Sequence, residues 1–80
     1  MTAQKIKTIV TRLGGVVNHP TYMITFPEKF RLKNKKDALD LIDVLNNDID
    51  DEGNQYTVEL TEAYNALKIA IKQGVLNEAA

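Results

Sequence analysis

Chemistry in this 80-residue chain has to come from one histidine, three tyrosines, and its threonines, lysines, arginines and carboxylates, because cysteine, serine and tryptophan are absent. Thiol and serine nucleophiles are therefore excluded before any geometry is considered. His19 is the group whose unperturbed titration falls near neutrality, so with Tyr22 and Tyr56 it could form an acid–base set. No nucleophile or orienting carboxylate stands close to it in sequence, and a lone histidine before a proline is ordinarily a turn residue. One histidine with scattered carboxylates also lacks the ligand count of a tetrahedral zinc site. Gly14, Gly15, Gly53 and Gly74 form neither the GxGxxG pattern nor the P-loop spacing, which removes the two common phosphate-cradling loops. The expectation is a protein that is not an enzyme and carries no cofactor.

Two charged clusters remain. Lys29, Arg31, Lys33, Lys35 and Lys36 place five cations in eight residues, a row that could track backbone phosphates or simply keep an edge strand in solution. With His19 they are the candidate partner- or nucleic-acid-binding residues. The order helix, three short strands, helix over residues 2–47 resembles the double-stranded-RNA-binding domain. So do Lys35-Lys36-Asp37-Ala38 at the start of the second helix and His19 in the first strand-to-strand loop. The resemblance implies a phosphate clamp from the lysines and a minor-groove contact from His19. It covers about half the chain; Leu39 departs from the lysine of that family's pattern, and Asp37 and Asp40 add negative charge to the same turn.

The acidic cluster runs from Asp48 to Glu59. It resembles an EF-hand loop, with Asp48, Asp50, Glu52 and Glu59 at positions 1, 3, 5 and 12 and Gly53 at position 6. That resemblance implies oxygen ligation of calcium by these four carboxylates. Gln55 takes the place of the usual apolar residue at position 8, and no second loop is available to pair with it. The other reading is an acidic connection in which Gly53 permits a turn, and no metal site is favoured.

These residues must be positioned by short elements. Thr2 can cap a helix whose Ile6, Ile9, Val10 and Leu13 share one stripe, with Gly14 and Gly15 ending it. Val16-Val17 opens a strand, Asn18 to Thr21 a turn, and Tyr22, Ile24 and Phe26 alternate as a second strand up to Pro27. Phe30 and Leu32 alternate with Lys29, Arg31 and Lys33, which predicts a third strand at a sheet edge. Asn34 can cap a helix carrying Ala38, Leu41, Ile42 and Leu45 inward to about Asn47. Residues 46–54 read as an acidic flexible loop and 55–60 as a fourth strand. Thr61 then caps a helix with Ala63, Leu67, Ala70 and Ile71 inward, stopped by Gly74, with Val75 and Leu76 over its end. Residues 77–80 read as a frayed tail.

The pattern predicts a single α+β domain: a small antiparallel sheet of three to four strands packed against three helices, in the order α-β-β-β-α-β-α. Charge divides along it, +5 in residues 1–40 and −6 in residues 41–80, so the total of −1 conceals a dipolar chain. The longest apolar runs are far below the ~20 residues that cross a bilayer, and the first residues form no leader pattern, so a cytoplasmic protein without membrane contact is expected. A chain of this size buries only about 60% of its unfolded surface and has no disulfide. A partner would help it. The function expected is surface contact with a larger protein, as a regulator or inhibitor of the kind that accompanies phages and mobile elements. A homodimer is a further partner expectation, and nucleic-acid binding is the alternative.

Overall fold

The computed structural model of the chain describes residues 1–77. It is an α+β fold of three helices and a three-stranded mixed sheet, in the order α-β-β-α-β-α followed by a 3-10 turn. Helix α1 spans Ala3–Leu13. Thr2 caps it by accepting from Lys5 N, Ile6, Ile9 and Val10 are buried, and Gly14 ends it at φ 92, where a side chain is disfavoured. Strands β1 (Val16–Asn18) and β2 (Met23–Thr25) pair antiparallel, Val17 opposite Ile24. Their connection contains a cis His19–Pro20 bond and Tyr22 at φ 57.

The expected third strand is absent. Pro27 to Phe30 form a turn closed by Phe30 N–H donating to the Pro27 carbonyl at 3.1 Å, with Lys29 left-handed at φ 65. This turn folds Phe30 back so that its ring stacks on Phe26 at 4.4 Å and 11°. Phe30 and Leu32 are buried and Arg31 and Lys33 exposed, as the alternation requires, but these residues join no ladder. Period-2 burial reports one-sided contact with a core and does not require strand pairing.

Helix α2 (Lys35–Asn46) begins at the expected cap, Asn34 accepting from Asp37 N at 2.9 Å, and buries Ala38, Leu41 and Val44. The chain then returns to the sheet as β3 (Thr57–Val58), which lies parallel to β2, Met23 opposite Thr57. Thus β2 is central and the sheet is mixed, where an antiparallel one was expected. Ile24 is fully buried on the helix side with Val17 and Val58, while Val16, Met23 and Thr57 lie on the exposed side.

Helix α3 (Leu60–Lys72) starts two residues earlier than expected, because Glu59 and not Thr61 supplies the cap by accepting from Thr61 N. The 3-10 turn Val75–Asn77 follows and buries Val75. Asn77 of the expected tail is the last residue of this turn, and the rest, 78–80, lies outside the described residues. One contiguous apolar cluster links all three helices, the sheet and the Phe26–Phe30 stack. No helix among the described residues is long and apolar enough to cross a membrane.

Candidate functional site

Folding supplies what the sequence around His19 lacks, a carboxylate. The β1–β2 loop, the start of α1 and the 50–56 segment line a cleft of about 240 Å³. His19 packs edge-on against Tyr22 with ring centres 5.2 Å apart, and Tyr22 packs edge-on against Tyr56 at 5.3 Å. The Tyr56 hydroxyl donates to Asp50 Oδ2 at 2.7 Å.

Asp50 is 5% exposed and has every acceptor position engaged. Its Oδ1 accepts from the backbone N–H of Glu52 and of Asn54, both at 2.9 Å, and its Oδ2 also accepts from Asn54 Nδ2 at 3.2 Å. Burial alone would raise this carboxyl, but the hydrogen bonds from Tyr56, Asn54 and Glu52 overcome it and hold the pKa at about 2. Tyr56 moves the other way, to about 12, through its own burial and then its bond to the Asp50 anion. The pair is a locked ion and a locked phenol, not a proton relay.

The same lock shapes the acidic connection between α2 and β3. Residues 46–54 turn around Asp50, Gly53 N–H donates to the Asp50 carbonyl at 3.1 Å, and Ile49 bridges to Gln55. Asp51 Oδ1 accepts from Ala3 N at 3.2 Å, so this loop serves the first turn of α1, where a negative charge is favoured. Acidic character here satisfies backbone donors. Among the described residues no three His, Asp or Glu side chains are gathered as a metal set. Asp48, Asp50, Glu52 and Glu59 are separated in role: Asp50 is consumed by the turn, Glu59 caps α3, and the Asp48 carbonyl accepts from Tyr56 N.

The basic row is divided. Lys29 and Arg31 border a groove of about 390 Å³ against α3, which adds Lys68 to them and sets Glu28 and Glu62 nearby. Lys33 is exposed between the two groups. Lys36 approaches Asp40 at 3.6 Å, and Lys35, half-buried beside it, is engaged as well. His19 lies in the other cleft. The RNA-binding resemblance also fails at the level of fold, since its third strand is a turn and the real third strand arrives after α2.

Arg12 was missed by sequence reasoning. Its guanidinium reaches from α1 to α2 and donates to both Asp37 and Asp40. The hydrogen bond to Asp37 is the chief reason its own pKa is raised. The fork accounts for an aspartate, Asp37, that is only 8% exposed.

The second missed feature is the outer face of α3. Its fully buried residues are all alanine: Ala63, Ala66 and Ala70. Three larger apolar residues point away, Leu60 at 43%, Tyr64 at 49% and Ile71 at 60% exposure, while Leu67 between them packs half-buried against the core as expected. Ile71 was expected inward. The spacing i, i+4, i+7, i+11 of these four residues was the signal available, but it competes with the alanine stripe for the same helix.

The chain matches no known family model, no curated protein and no solved structure.

Proposed function

We propose that this is a small non-catalytic protein that works in the cytoplasm by surface contact with a larger protein, as a regulator or inhibitor. The observation that carries the reading is α3, whose buried face is alanine while Leu60, Tyr64 and Ile71 face solvent. A helix normally turns its largest apolar side chains to the core, and an aligned exposed set of them marks a docking surface. None of the three belongs to the apolar core cluster or is packed against it. The His19–Tyr22–Tyr56–Asp50 cleft favours the same reading, because its carboxylate and phenol are committed to each other and to the loop that they close. The cytoplasm is a setting to which a cysteine-free chain is suited.

A photo-crosslinking residue placed at Tyr64 tests this, with a second at exposed Thr11 on α1 as control. A protein captured from Tyr64 and not from Thr11, and lost when Leu60 and Ile71 become serine in a chain of unchanged melting temperature, is the result expected. Equal capture from both positions, or capture indifferent to Leu60 and Ile71, would remove α3 as the working surface.

A further inference from the structure

We infer that the occupant of the α3 face is an amphipathic helix of another protein, with an apolar stripe bordered by carboxylates. This rests on the reading of α3 as the docking surface and adds the chemistry of the partner. At about 100° per residue, Leu60, Tyr64, Leu67 and Ile71 fall within an arc of about 60°. On one side of that arc lie the buried alanines. On the other side, roughly 70–110° around the helix, stand Lys68 and Lys72, both exposed. Lys68 leads into the groove where Lys29 and Arg31 come in from the turn before α2. The open border of the stripe is therefore cationic.

The two acids of that groove, Glu28 and Glu62, do not remove this bias. Glu62 projects about 180° from the stripe, and Glu28 joins the groove from the Pro27–Phe30 turn and not from α3. Lys29, Lys68 and Lys72 form no salt bridge within 4.0 Å among the described residues. Helix recognition of this kind reads apolar anchors that recur at helical spacing, and flanking charge sets the choice of partner. The partner's stripe meets Leu60, Tyr64 and Ile71, and its carboxylates meet Lys68, Lys72, Lys29 and Arg31. A second copy of this chain is a poorer fit, because it would bring the same lysine border to this one. Two of the five cations of the sequence-predicted basic row, Lys29 and Arg31, thus acquire a use that needs no phosphate.

The test uses three synthetic helical peptides of about 18 residues, identical in a leucine stripe at the α3 spacing and flanked by Glu, Gln or Lys. Each is titrated into isotope-labelled full-length protein while backbone amide shifts are followed. The Glu-flanked peptide should perturb α3 and residues 28–31, bind at least ~10-fold more tightly than the Lys-flanked one, and lose that advantage as salt rises. Lys68→Gln with Lys72→Gln, both exposed substitutions, should abolish the preference and leave the fold intact. Binding at α3 with no dependence on flanking charge would overturn the inference and leave the docking face standing. Perturbation of α3 by none of the peptides would overturn both. Self-association through α3 in the free protein would replace the partner helix with a second copy and also overturn it.

Discussion

Gly15 is where α1 is joined to the sheet, and its lack of a side chain is required by contact, not by dihedral freedom. A methyl group at this position would lie 2.7 Å from two ring carbons of Phe26 and 2.9 Å from the Thr25 carbonyl oxygen. Carbon–carbon contacts are optimal at about 3.5–4.0 Å, so the ring would have to retreat by roughly 1 Å. It has no room, being stacked at 4.4 Å on Phe30, and Thr25 is held in register opposite Val16. Overpacking of this kind costs about 1–3 kcal/mol, less about 0.4–1 kcal/mol regained from a stiffer unfolded chain. Gly15→Ala should therefore lose about 1–2 kcal/mol, read as a fall in the urea midpoint with unchanged slope. For a chain of this size each kcal/mol is worth about 4–8 °C in Tm. Phe26→Leu opens the crowded side, so the alanine should cost at least ~0.5 kcal/mol less in that background. Gly14→Ala is the control: nothing lies within 4 Å of its added methyl, yet its φ of 92 strains any side chain. Its cost, about 1 kcal/mol, should not change with Phe26→Leu. A Gly15→Ala protein as stable as the parent, or one whose loss is the same with Leu at 26, would refute the packing account.

Arg12→Met should lose about 1–2 kcal/mol by leaving the nearly buried Asp37 without its donor, and much of that loss should vanish in an Asp37→Asn background, measured by a urea double-mutant cycle. Asp50 is depressed to about 2 in the fold, so its stabilising contribution is complete above the unfolded value near 4. That contribution should be lost as pH falls from there through about 2, and Asp50→Asn should flatten this limb of the acid melting curve. Tyr56 is raised to about 12, so its contribution is complete below the ordinary tyrosine value near 10 and fades as pH rises through 10 to 12. Phenolate absorbance should show a late-titrating tyrosine in the parent that is absent in Tyr56→Phe. Leu60→Ser and Ile71→Ser should each change stability by less than ~0.5 kcal/mol on thermal unfolding, since neither side chain belongs to the core.

The sequence was legible wherever a local rule was decisive. Thr2, Gly14 and Asn34 act within three residues of themselves, and the helices they bound are where their spacing places them. It was less legible where the deciding contact is distant. Arg12 meets Asp37 and Asp40 25 and 28 residues away, and Ala3 meets Asp51 across 48. The basic row was read as a strand because Phe30 and Leu32 alternate with cations. A left-handed Lys29 carries no sequence mark, so the turn that removes the strand was hidden. Among eight carboxylates in the second half, no local feature distinguishes Asp50. Its identity as a buried anion depends on Tyr56 reaching back over it. The outer stripe of α3 was visible in spacing, but two apolar stripes on one helix cannot be sorted into inner and outer without the neighbouring elements.

The parallel placement of β3 beside β2 makes the two halves of the chain interdependent. The first half ends with an unfinished sheet and an α1 whose first N–H waits for Asp51; the second half holds a lone strand and helix with no sheet to join. Neither piece holds the whole sheet. During synthesis the sheet cannot close until Thr57–Val58 has left the ribosome, so folding waits for the second half of this sequence. A cut in the segment after α2 would yield a positively charged fragment and a negatively charged one, each unfolded alone and suited to reassembly as a complemented pair.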